Sequence, residues 1–375
     1  MTSEQLEFIP SSFKVIEHVR GVYACKCCEE TIQRAPKAPQ AIEKGLPGPG
    51  LLAHVVVSKY CDHLPLYRQT GIFQRNGIDI ARSTQCCWIA AVSGLAKPLV
   101  QTMRLDLLRS GIIKTDDTTV TVLGDNRGSY KGRLWVYIGD RWHPHQIFVY
   151  SPDREGRWPK DFLNGYQGYL QADAYSGYDA LHKEGIKEVA CWSHTRRYFF
   201  EALSIAKDKR ALVPLELIKK LFKIEEDARD LDSAARQAIR KERAKPLLAE
   251  FKSWIAESSK AVLPKSKLGA ALTYAANQWD ALNRYLENGD LCIDNNASER
   301  ALRAVAVGRK NWMFAGSDQG GHRAAVFYSL IASAKTNGVE PFAYLRSLFE
   351  LLPSWPPERL QELWPLAWKA KYQPT

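Results

Sequence analysis

Three consecutive β-branched segments interrupt a chain whose apolar residues otherwise recur at helical spacing. IIKTDDTTVTVL is followed by LWVYIGD and then HQIFVYSP, with short polar or glycine-containing links between them. β-Branched and aromatic side chains suit a pleated, half-buried surface, and short links join antiparallel neighbours. The pattern predicts strands near 112–123, 133–139 and 145–151 in meander order. DREGRWPKDFLNG then predicts a helix, and GYLQADAYSGY a fourth strand near 168–173. EVACWSHTRRYFFEAL predicts a fifth strand near 187–191 running into a helix. The order β-β-β-α-β-α-β implies an α/β fold, one mixed sheet flanked by helices.

The flanking regions read as helical. LLAHVVVSKYCDHLPLYRQTGIF and STQCCWIAAVSGLAKPLVQTMRLDLLRSG are two helical pieces joined by RNGIDIARS, like a helix-turn-helix module, with Ser83 able to cap the second. Over 201–290, Leu217, Leu221, Ile224, Ala228 and Leu231 form one apolar face. Leu268, Leu272, Ala275, Trp279, Leu282 and Leu286 form another. Between them, Arg236, Arg240, Lys241, Arg243 and Lys245 are either a solvated helix face or a stripe toward nucleic acid. DNNASERALRAVAVGRKNWMFAGSDQGGHRAAVFYSLIASAKTNG predicts a helix, a glycine-rich turn and a second helix, and the tail predicts two helices around a proline-rich turn. RAPKAPQAIEKGLPGPG reads as a linker behind a β-rich start that ends at Cys25-Lys26-Cys27-Cys28. These shifts divide the chain at 1–45, 46–110, 111–200, 201–290, 291–337 and 338–375.

Charge narrows the partners. Lys plus Arg is 52 against 41 Asp plus Glu, a net +11, and such a field draws polyanions, nucleic acid above all. No apolar run is long enough to span a membrane, and MTSEQLEFIPSSF does not read as a secretory leader. Eight scattered cysteines suit free thiols in a reducing, cytoplasmic compartment.

Three carboxylates stand where chemistry is expected: Asp116 within the first strand, Asp173 at the end of the fourth, and Glu299 at the start of a helix. A carboxylate near a sheet is costly to bury unless it is paired or binds a cation. Three of them can hold two hard cations about 4 Å apart, the arrangement that cleaves and transfers phosphodiesters. Plainer readings exist. Asp116 can be an edge residue with Asp117 the buried one, and Glu299 can close a capping box from Asn296 or pair with Arg303.

IIKTDDTTVTVL, GYLQADAYSGYDAL, ACWSHTRRYFFEA and DNNASERALRAVAVGRKNWMFAGSDQGG, in this order, resemble the transposases of bacterial insertion-sequence 66 type elements. KVIEHVRGVYACKCCE, GPGLLAHVVVSKYCDHLPLYRQ and NGVEPFAYL extend the resemblance over nearly the whole chain. It implies a ribonuclease-H-like catalytic core with an Asp-Asp-Glu triad, split by the helical insertion 201–290. The family's Asp-Glu-Thr run is matched by Asp116-Asp117-Thr118, with Asp117 departing from Glu. Strand alternation places Asp117 opposite Asp116, so it is not expected as a ligand. The second motif is matched by Asp173, Tyr175, Gly177 and Tyr178, the third by Asn296, Glu299 and Arg300.

The resemblance thus implies Asp116, Asp173 and Glu299 as ligands of two Mg²⁺ or Mn²⁺ ions. It implies DNA contacts from Arg196, Arg197, Arg300, Arg303, Arg309 and Lys310. The partners would be terminal inverted repeats, target DNA, further copies of the chain and companion proteins of the element. Cys191 and His194 also match; without a second pair they are expected to be structural, the alternative being His194 or Arg197 beside the scissile phosphate. The family's zinc module has two Cys-x-x-Cys knuckles, of which only Cys25 and Cys28 match the second. The expectation is an N-terminally truncated module without zinc. A repurposed protein that binds DNA but does not transpose is the alternative function.

Overall fold

A computed structural model of the chain describes residues 3–7, 12–24, 32–124 and 128–373. It begins with a small exposed hairpin of β1 (Val22–Ala24) and β2 (Ile32–Arg34). Three helices follow: α1 (Pro49–Tyr60), α2 (Leu66–Arg75) and α3 (Arg82–Leu107). The sequence pattern predicts two pieces here. The first divides because Pro65 has no N–H to continue a helix and instead starts α2. α3 starts at Arg82 with Ala81 before it, so Ser83 lies inside the helix and caps nothing.

The central sheet has the order β5-β4-β3-β6-β7. β3 (Ile112–Gly124) and β4 (Gly128–Ile138) pair antiparallel, and β5 (Gln146–Ser151) extends the meander. After α4 (Arg157–Phe162), β6 (Tyr169–Gln171) returns parallel to β3. After α5 (Asp179–Lys183), β7 (Lys187–Val189) lies parallel to β6. All five predicted strands therefore share one mixed α/β sheet, with helices packed against it.

The next segment is helical throughout: α6 (Trp192–Ser204), α7 (Leu212–Asp227), α8 (Ser233–Ile239), α9 (Lys245–Ala261), α10 (Lys267–Asn277) and α11 (Trp279–Asn283). Leu217, Leu221, Ile224, Leu268, Leu272 and Leu282 build an apolar core there, around Phe199 and Phe251. Leu231 leaves the predicted face: α7 ends at Asp227, and Leu231 is exposed beyond it.

The basic stripe is also corrected. Arg240 is 1% exposed and forks onto Glu225 at 2.8 and 2.6 Å, while donating to the carbonyls of Tyr285, Asn288 and Leu291. Arg236 donates to the carbonyls of Ala228, Arg229, Leu231 and Gly289. A π-helical turn over Arg240–Ala244 adds a residue to the turn, so face-counting at 3.6 residues breaks there.

α12 (Asn296–Trp312) packs on β3 and β4, and Ala315 returns to bond β3 at Thr121 and Leu123. α13 (Asp318–Thr336) covers β5, and α14 (Pro341–Leu351) packs on α1. α15 (Pro365–Tyr372) ends the described chain. α1, α3, α13 and α14 share one core with the sheet. No described helix is long and apolar enough to cross a membrane.

Candidate active site

The sheet register brings two of the three carboxylates side by side. Lys114 on β3 pairs with Gln171 on β6, in parallel. Asp116 stands two residues further on in β3, and Asp173 two residues beyond the end of β6, so the two stand at about the same level of neighbouring strands. Burial pushes the Asp116 carboxyl up to about 7, although the Asp117 N–H donates to it at 2.7 Å. The charges of Asp173, Asp117 and Glu299 push it in the same direction, so all three lie within electrostatic reach.

Glu299 is brought to this level by a buried asparagine that the sequence reading passed over. Asn295, 0% exposed, donates from Nδ2 to the carbonyl of Thr115 at 2.8 Å, one residue before Asp116. Its Oδ1 accepts from the Ser298 hydroxyl at 2.9 Å, and its N–H meets the Cys191 sulfur at 3.2 Å. The start of α12 is thereby fastened to β3 and to the start of α6. Asn296 turns aside onto Asp294. The capping-box reading of Glu299 does not hold: Asn296 is the first helical residue, the residue before it is Asn295, and the Asn295 side chain caps no helix N–H. Nor is Arg303 within ion-pair reach of Glu299; its neighbours are His194 at 3.9 Å and Arg197 at 3.7 Å, both from α6.

Cys191 and His194 separate in role. Cys191 is buried, its thiol pushed up to about 11 by that burial, and it sits on the Asn295 N–H. His194 faces the carboxylates. Burial and then Arg197 hold its imidazole below the usual range against the pull of Glu299 and Asp173, so the ring is neutral at pH 7. Its Nδ1 is buried without a hydrogen-bond partner.

Asp117 is committed elsewhere. Its side chain is 1% exposed and holds Arg133 and Arg154, each at 2.8 Å. Arg154 also reaches Asp173 at 3.5 Å and lies over the Tyr175 ring, while the Tyr175 hydroxyl donates to the Arg154 carbonyl. Arg154 thus supplies positive charge to Asp173 that no sequence motif announced. Oxygen-only donors from three carboxylates, one of them strained by its neighbours' charge, suit a hard divalent cation. As the side chains stand, no three His, Cys, Asp or Glu groups among the described residues form a ready metal shell.

The remaining basic residues fall into three settings. Arg196, Arg197, Arg303 and Lys310 are exposed. Arg300 lines a separate cavity of about 380 Å³ with Tyr60, His63, Tyr328 and Lys335, on the flank of α12 that carries Ala297, Ala301 and Ala304. Arg309 is engaged with β3, bonding the Thr118 hydroxyl at 2.9 Å and the Thr119 carbonyl at 2.7 Å. Cys25 and Cys28 lie outside the described residues.

Comparison with known proteins follows the same regions. A family profile described as Transposase IS66 family matches residues 44–323. The IS66 C-terminal element matches 329–366, and the zinc-finger binding domain of transposase IS66 matches 1–29. This last match removes the support for a truncated N-terminus, and it hints at zinc there, against the expectation of none. Among curated proteins, the chain is 34% identical to Uncharacterized protein y4hP of Sinorhizobium fredii over 390 residues, 98% of this chain and 70% of that protein. It is 32% identical to Uncharacterized protein y4jD of the same organism, over 98% of this chain and 75% of that one. It is 33% identical to Uncharacterized protein y4qI, also from that organism, over 98% and 71%.

Proposed function

The chain belongs to the IS66 family of transposases, and from that premise we propose that it cuts and joins DNA at element ends with a divalent cation held by Asp116, Asp173 and Glu299. The observation that carries this reading is the shared level of Asp116 and Asp173, with Glu299 fastened beside them through Asn295. A sheet of three antiparallel strands continued by two parallel ones supports a ribonuclease-H-like core. Mg²⁺ or Mn²⁺, one or two ions, would supply Lewis-acid stabilisation of the phosphoryl oxygens and of the attacking and leaving oxygens.

The chain's own residues do the rest. In the first step a water oxygen bonds to phosphorus and the bond to the 3′-oxygen breaks, freeing a 3′-hydroxyl. In the second, the oxygen of that hydroxyl bonds to a target phosphorus while the bond from that phosphorus to the target's own 3′-oxygen breaks; the attacking hydroxyl loses its proton and the departing 3′-oxygen takes one up. Arg197, beside Glu299, is placed to hold a phosphate oxygen, and its charge adds to burial in holding the His194 imidazole below the usual range. A neutral imidazole can hydrogen-bond a phosphate or the attacking oxygen without adding a charge that competes with the cation. Arg154 offsets the charge on Asp173 and Asp117. The substrates are terminal inverted repeats and target DNA, engaged by more than one copy of the chain.

The test is strand cleavage and transfer on labelled element-end DNA with Mg²⁺. Asp116→Asn, Asp173→Asn and Glu299→Gln should each abolish cleavage and largely preserve binding. Full cleavage by any one of them overturns the assignment.

A further inference from the structure

We propose that Tyr198 and Tyr274 form a stacking platform for an unpaired nucleobase of the DNA strand held at the carboxylates. The proposal rests on the DNA-transposase reading and adds to it a binding surface made of neither carboxylate nor cation. His194, Arg197 and Tyr198 lie three and four residues apart on α6, which puts them on one helix face. The first two stand 3.9 and 3.7 Å from Glu299. Tyr198 follows His194 by one turn, about 6 Å along the axis.

Its ring stacks on Tyr274 of α10, with centroids 4.5 Å apart and planes inclined by 26°. Tyr274 is the backing member. Burial raises its phenol, and Cys191, Tyr198, Asp173 and Glu188 add to this, so it too is within electrostatic reach of the site. Tyr198 remains 40% exposed although one side is covered. A ring held rigid from behind and open in front loses little freedom on binding.

The surroundings select the occupant. Arg197 is exposed on this face beside Glu299, whereas Arg196 and the exposed Phe200 that it covers lie on the far side of α6. An exposed ring one residue from an arginine suits a polyanion that carries flat, apolar rings. Single-stranded nucleic acid has that chemistry, and every base has a face to stack. A paired base inside a duplex has both faces covered. The platform therefore recognises a strand that has opened at the cut end, and it fixes the terminal nucleotide relative to the carboxylates.

The experiment uses the full chain and element-end DNA carrying 5-iodouracil at successive positions near the cut, with those positions paired or left unpaired. Irradiation should crosslink one unpaired position to the peptide containing Tyr198. Tyr198→Leu keeps an apolar contact on Tyr274 but has no ring face. It should lose that crosslink, and affinity for the unpaired end should fall about tenfold, within the range a lost base stack produces. Affinity for paired DNA should change less than twofold, the thermal unfolding curve should be unchanged, and Tyr198→Phe should restore both the crosslink and the affinity. A crosslink that survives Tyr198→Leu, or an equal loss on paired and unpaired DNA, overturns the platform while leaving cleavage intact. Wild-type protein that neither binds nor cuts element-end DNA overturns the platform and the transposase chemistry together.

Discussion

Asp116 shows how a single carboxyl links stability to chemistry. Its ionisation is raised from the usual 3.8 to about 7, first by burial and then by the charges of Asp173, Asp117 and Glu299. The folded protein holds this proton more tightly than the unfolded chain. Its contribution to stability is therefore complete below 3.8 and is lost as pH rises through about 7. Asp116→Asn removes the buried charge, so without metal the variant should gain on wild type between pH 5 and 8, by about 2–3 kcal/mol. Urea unfolding in EDTA at both pH values checks this, and an identical difference at the two pH values would contradict it. Adding Mg²⁺ at pH 8 should raise the wild-type melting temperature and leave Asp173→Asn nearly unmoved, since binding to the folded state alone stabilises it. Arg309 belongs at this scale as well. Its bonds to Thr118 and Thr119 make Arg309→Ala a destabilising change of about 1–3 kcal/mol, measurable in the same unfolding curves before any DNA is added.

At the scale of elements, the site depends on how α12 is fastened. Asn295 connects three chain segments at once: β3 through Thr115, α6 through Cys191, and α12 through Ser298. Asn295→Ala leaves the Thr115 carbonyl buried without that donor and should cost about 1–3 kcal/mol. It should also lower the cleavage rate at unchanged DNA affinity, because the position of Glu299 relative to Asp116 is no longer held. Single-turnover cleavage beside a binding titration separates the two effects, and a normal rate would show that the fastening is dispensable. Arg240 does comparable work in the helical segment, tying α7 through Glu225 to the carbonyls of the chain that leads into α12. Arg240→Met strands Glu225 and these carbonyls, and should cost about 3–5 kcal/mol, as breaking one side of a buried pair does.

The whole molecule carries a net +11 that is not spread evenly among free charges. Arg236, Arg240 and Arg309 are absorbed by carbonyls and partners, while Arg303 and Lys310 stand exposed on α12. With Arg196, Arg197 and Arg300, which are exposed too, these charges are open to phosphates. If each neutralises one phosphate, the double variant Arg303→Ala, Lys310→Ala should lower the magnitude of the salt slope of duplex binding by about 1.8. An unchanged slope would place the DNA path elsewhere.

The order of elements was legible because it rests on local periodicity. The β-branched run at 112–123 and the helical spacings after 201 need no distant partner to be recognised, and the strands appear where they were expected. The three candidate carboxylates were legible as residues in motifs. Three features were not. Asn295 and Asn296 look alike in the sequence, and only contact with Thr115 distinguishes the buried one from the one turned to Asp294. The basic run around Arg240 reads as a surface stripe until the 285–291 segment and Glu225 close over Arg240. Arg154 matches no motif, and its place between Asp117 and Asp173 exists only because β5 and β6 flank the pair β3–β4. Periodicity and motif order are properties of neighbours along the chain. The pairing of a charge with its partner depends on residues that only folding brings within a few ångströms, where desolvation makes each contact decisive.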